Sequence, residues 1–196
     1  MIKRLLVVSL LGYGGWHYWH TRPVEQGPGM VAPKDPQQFD MENASAFDFK
    51  GYQFTPRARF KLQARVLGTE HYNMGREANL APVDLALGWG PMSDSQVLSR
   101  LRISQGNRMY YYAWDDAPPI PQQEIVTHSA NMHMIPADSS IEKSLKAVRP
   151  GSLVELEGQL VWIAASDGWQ WRSSLTRTDS GNGACEVVLV QSIQTH

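Results

Sequence analysis

Two histidines five positions apart, in His128-Ser129-Ala130-Asn131-Met132-His133, are the side chains best suited to hold a metal ion. On a regular strand they would lie on opposite faces, because side chains alternate with period two. On a helix they also miss one another, since only positions three or four apart share a face. A bulge or loop between them would let both meet one cation. Asp138, Asp115 or Glu186 could then supply a third ligand, because zinc accepts mixed nitrogen and oxygen donors. His128, His133 and Asp138 are therefore the candidate metal ligands, and a zinc-assisted hydrolase is the enzymatic alternative. The competing expectation is that both histidines are structural and that the protein carries no cofactor.

Other chemistry is weaker. The remaining acidic candidates, Asp84, Asp116, Asp167 and Asp179, show no spacing diagnostic of general acid–base work. Cys185 sits at an apolar strand start, where a buried, inert thiol is the ordinary outcome. Ser173 and Ser174 read as mid-strand residues and lack the glycine-flanked elbow of serine hydrolases. The aromatic residues are more distinctive. Tyr110, Tyr111, Tyr112 and Trp114 occupy one segment, while Trp162, Trp169 and Trp171 occupy a hairpin, with Arg172 on the face opposite Trp169 and Trp171. Turned outward, such a face stacks on sugars, peptides or bases; turned inward, it fills a core. The candidate binding residues are Trp169, Trp171, Arg172, Tyr110, Tyr112 and Trp114.

The elements that must position these residues are mainly β. Arg59–Val66 alternates polar and apolar residues, and Asn107–Trp114 reads as a second strand with apolar character on both faces. Glu124–Ile135 reads as a third, stopping at Pro136. Ser93-Asp94-Ser95-Gln96 and Ser139-Ser140-Ile141-Glu142 match capping boxes and start two short helices. Ser152–Ala164 alternates again, Asp167-Gly168 signals a hairpin, and Ala184–Ile193 is the last strand. Strands on either side of a helix predict a small antiparallel β-barrel with OB-like strand order, or another small antiparallel barrel or sandwich.

Upstream, Leu5 to Thr21 is a run of 17 residues without a charge, preceded by Lys3 and Arg4 and ending among Tyr13, Trp16, Tyr18 and Trp19. This matches a transmembrane helix with a cytoplasmic amino terminus and an aromatic belt. A short signal peptide and a buried apolar segment are the alternatives. The expected organisation is an anchor over 1–22, a Pro/Gly-rich linker over 23–46 and a domain over 47–196.

Composition limits the function classes. The chain has 196 residues, 42% hydrophobic and 19% charged, which excludes a disordered chain. A single cysteine excludes a disulfide framework and suits an oxidising compartment. The net charge of -1 divides unevenly: Met1–Arg22 carries three basic residues and no acid, which leaves 15 basic against 19 acidic residues, net −4. Arg59, Lys61 and Arg65 share one strand face, but a net acidic domain argues against nucleic acid as a partner.

The segments Pro82–Gly90, His128–Ala137 and Asp167–Leu175, taken as a set, resemble a group of hypothetical bacterial envelope proteins that join an amino-terminal apolar segment to such a domain. The resemblance spans most of residues 55–190 and implies an extracytoplasmic, periplasmic domain on the inner membrane. With it comes the expectation of a binding module for an envelope protein or glycan.

Overall fold

The computed structural model describes residues 22–179, 181 and 183–196. The expected anchor, residues 5–21, lies outside these. Among the described residues no helix is long and apolar enough to cross a membrane. Strand outweighs helix by 45% to 16%, so the fold is mainly β.

Among the described residues ten strands follow in chain order: β1 (Gln37–Asp40), β2 (Phe47–Phe49), β3 (Tyr52–His71), β4 (Val83–Gly88), β5 (Arg102–Gly106), β6 (Met109–Ala113), β7 (Ser129–Pro136), β8 (Leu153–Ala164), β9 (Gln170–Arg172) and β10 (Glu186–Thr195). β3, β4, β7, β10 and β8 pair in succession, and β8 pairs back onto β3, which closes a ring. The expectation of a purely antiparallel sheet is corrected at one seam, because β7 and β10 run parallel.

Strict alternation explains why β3 lines this ring. Ala58, Phe60, Leu62, Ala64 and Val66 are buried in the core. Arg59, Lys61 and Gln63 turn outward, where Lys61 meets Glu157 and Gln63 meets Glu155 across the β3–β8 seam. Val83, Leu85 and Leu87 of β4 and Met132 and Met134 of β7 complete one wall. A helix at Ser139–Lys146 adds Ile141 and Leu145 to the same core, and Val148 joins them just past its end.

Several expectations are revised. The second ring strand is Val83–Gly88, and Asn107–Trp114 instead pairs with Arg102–Gly106 as a separate hairpin. Only one face of that hairpin is covered, for Tyr111 and Ala113 are exposed. Glu124–Ile135 begins as the helix Gln122–Thr127 before turning into β7. Four short α-helices are present among the described residues, and the expected two begin at aspartates: Asp94 caps Ser95–Leu98 and Asp138 caps Ser139–Lys146. Ser93, expected in a capping box, is buried, donating to Gly90 O and accepting from Ala32 N. Residues 23–46 pack on the domain: Gln37–Asp40 pairs with β3, and Val24 N donates to Pro150 O. β9 ends at Arg172, so Ser173 and Ser174 follow the strand and are not within it.

Candidate functional site

The faces of β4 and β7 that point away from the ring carry Asp84 and His133 as direct cross-strand partners. Asp84 is 0% exposed, and an isolated buried carboxylate is costly, so its partners matter. Arg108 Nη1 donates to Asp84 Oδ1 at 2.7 Å, and Asn131 Nδ2 donates to Oδ2 at 3.3 Å. His133 Nδ1 lies 3.0 Å from Oδ2, but its angle leaves that nitrogen without a hydrogen bond.

Arg108 comes from the tight turn of the β5–β6 hairpin. Its φ is 65° and that of Asn107 is 54°, the left-handed pair that a two-residue hairpin turn demands. For arginine this conformation is strained, and it persists because the residue is held from every side. Its backbone N–H donates to the Tyr72 hydroxyl at 2.9 Å, its guanidinium lies 3.8 Å over the Tyr72 ring and its carbonyl accepts from Asn131 Nδ2 at 3.0 Å. Gln105 and Tyr110 add hydrogen bonds to Asn131 and Ser129 of β7. Arg108 thus clamps the hairpin onto the outer face of the ring.

Beside the clamp runs a cleft of about 590 Å³, lined by Asn107, Arg108, Met109, His133, Gln170, Trp171, Arg172, Gly183 and Cys185. His133 and Trp171 touch, with ring centroids 4.9 Å apart, and Arg108 lies 5.6 Å from the Trp171 ring. A second, narrower cleft of about 180 Å³ shares Met109 and Cys185 and includes Tyr110, Tyr112, Ala130 and Arg177.

The structure divides the six candidate binding residues. Trp171 and Arg172 line the open cleft. Trp169 is half-buried against Trp171 and Tyr52, and takes Arg76 on its ring at 5.2 Å. Tyr110 and Tyr112 wall the narrower cleft, where burial pushes the Tyr110 phenol well above its ordinary range. Trp114 stacks on Tyr112 and packs into a satellite core with Met92, Leu101 and Ile125.

The candidate metal ligands sit in different company. His133 faces Asp84. His128 Nδ1 lies 3.1 Å from Glu124 Oε2, and its ring packs so closely on Gly90 that an added Cβ there would lie 2.6 Å from Cδ2. Asp138 Oδ1 accepts from Ser140 N and Ile141 N as a helix cap. Among the described residues no group of three or more His, Cys, Asp or Glu side chains is placed to hold a metal ion. Three other acids are similarly engaged: Asp115 with Arg102, Asp167 with Arg76, and Asp179 with the Ser174 hydroxyl.

Cys185 shares the outer face, and its thiol is pushed up to about 11 by burial and then by nearby Glu186 and Asp84. A protonated thiol is a poor nucleophile, in keeping with the expected inert role. Glu186 turns the other way, toward the ring, where Arg177 Nε lies 2.9 Å from its Oε1 and the guanidinium sits 5.5 Å from the Phe60 ring. Burial pushes the Glu186 carboxyl up to about 7, with Arg177 pulling against it.

The residues that sequence reasoning missed are Arg108, Asn131 and Tyr72. One signal was present: Asp84 is a single acid inside the apolar run Pro82–Gly88, and a charge in such a place demands a partner. Comparison with protein-family models, curated proteins and solved structures finds no match.

Proposed function

We propose that this chain is a membrane-anchored binding module of the bacterial cell envelope, held outside the cytoplasm by residues 5–21. The ring is read as a small barrel of OB-type order. In support, its strands are arranged first, second, third, fifth, fourth in chain order, and a helix lies between the third and the fourth. The partner is an envelope protein or glycan.

One observation carries the binding role. The open cleft brings an aromatic ring, Trp171, beside two arginines and a histidine, with no carboxylate among its lining residues. A half-open site with an aromatic wall and a few fixed polar groups is the usual form of a recognition site. The fixed groups here are held by Asp84, whose burial sets Arg108 in place.

Two experiments on intact cells test this reading. Reporter enzymes fused to the carboxyl terminus should be active only in the form that works outside the cytoplasm. A photo-crosslinking amino acid at position 170, exposed and in the cleft lining, should give a discrete adduct, while the same group at exposed Tyr111 gives none. Adducts of equal yield from both positions, or from neither, would contradict the cleft as the site of an envelope partner.

A further inference from the structure

The open cleft has a strand edge for one wall. Among the described residues β9 pairs with β8 on one side only and ends the sheet, in the register Trp162↔Arg172, Ile163↔Trp171, Ala164↔Gln170, while just past it Ser174 N donates to Cys185 O. Ser173 N donates to Val161 O, and Ala165 N donates to Trp169 O, so the odd-numbered residues spend their backbone groups on β8. By alternation the N–H and C=O groups of Gln170 and Arg172 point away from β8. All three β9 residues line the cleft, and the clamped turn Asn107-Arg108-Met109 forms the opposite wall with His133 between. A short unpaired edge beside a walled slot is a template for one more strand.

Charge narrows the occupant. Arg172 is exposed, lies 5.1 Å from the Trp162 ring and donates to Gln170 Oε1, with no ion pair among the described residues. Arg108 has Asp84 beneath it, and no acidic residue lines the slot.

Resting on the binding role proposed above, we infer that the cleft takes an acidic peptide segment in extended conformation, added as a strand to the open edge of β9. At about 3.4 Å per residue, three residues of β9 match a stretch of about 10 Å. Alternate side chains of the added strand fall on opposite faces. Those beside Trp171 and His133 are apolar, and those beside Arg172 are aspartate or glutamate. Main-chain hydrogen bonds to Gln170 and Arg172 supply the affinity, and the arginine selects the sign of charge.

The test uses the full chain in detergent and fluorescence anisotropy of labelled heptapeptide pools. The first pool alternates Asp or Glu with Val, Leu, Thr or Tyr. The second replaces the acids with Lys. The third is the acidic pool with N-methylated backbone amides. Saturable binding of the first pool is expected, weakened about tenfold or more in the second and third and by Arg172→Glu. Equal binding of the basic pool overturns the acidic selectivity, equal binding of the N-methylated pool overturns strand addition, and the absence of saturable binding by the acidic pool overturns both. Arg172 is exposed, so Arg172→Glu should melt with the wild type, and the N-methylated pool tests the backbone contacts without any variant. An adduct at position 170 in cells without acidic-peptide binding would sink this inference alone. Peptide binding without an adduct in cells would sink the envelope role instead.

Discussion

On β4 and β7, the residues that alternate into the ring and those that alternate out of it are both removed from water, yet only the outward set includes charged and amide side chains. Inward go Val83, Leu85, Leu87, Met132 and Met134; outward, beside the apolar Ala86 and Ile135, go Asp84, Asn131 and His133, all at most 4% exposed. The inner face needs only volume and shape, because dispersion and burial of apolar area have no direction. The outer face needs partners in fixed places. It obtains them from a hairpin whose turn arginine adopts a strained backbone to reach Asp84. Burial alone therefore does not mark a core here. The outer layer is a docked interface, and the cleft opens along its border.

The largest effect should come from the inner face. Phe60 is 2% exposed, and Phe60→Ala is expected to cost about 3–5 kcal/mol in urea unfolding, with loss of protection throughout the ring. A cost under about 1 kcal/mol would mean that the ring interior is not the folding core.

The outer face should respond differently. Asp84→Ala leaves Arg108 and His133 without their shared carboxylate, which is expected to cost about 3 kcal/mol. The damage should concentrate in the hairpin, residues 102–113. Uniform loosening of the whole domain would erase the distinction between the two layers.

Glu186 sharpens the comparison, since it is a buried acid turned toward the ring core. Its carboxyl is raised from 4.5 to about 7 in the fold, so the folded chain holds a proton that the unfolded chain releases. The resulting stability is fully present below about pH 4.5 and is lost as pH rises through about 7. Measured as the difference between wild type and Glu186→Gln, stability should decline by about 3 kcal/mol across that window. A flat difference would place the carboxyl in water.

The smallest effect belongs to Asp138. Asp138→Ala removes the helix cap and is expected to cost about 1 kcal/mol, while Asp138→Asn recovers most of it. A loss of bound zinc in either variant would revive a metal role for this residue.

How much of this was legible in the sequence follows from the range of the interactions. The alternation of β3 and β8, the Asp167-Gly168 turn and the helix after Asp138 are local patterns, and each was readable. β4 was not, because Val83–Gly88 is buried on both faces and shows no alternation. β1 was hidden in a stretch rich in proline and glycine and exists because β3 offers it an edge. Trp171 and Arg172 were found by residue type. Arg108 was missed, because nothing near Asn107-Arg108 reveals a carboxylate 24 positions upstream. His133 was singled out as a metal ligand, whereas its role depends on a register match with Asp84 that only the folded sheet supplies.

The separation of the two layers is tested most directly by amide hydrogen exchange on Asp84→Asn, which keeps the shape and removes the charge. Exchange in residues 102–113 should accelerate about tenfold or more, while β3 and β8 keep their wild-type protection. Unchanged exchange in the hairpin, or equal acceleration in β3 and β8, would contradict a hairpin held on the ring by the Asp84–Arg108 pair.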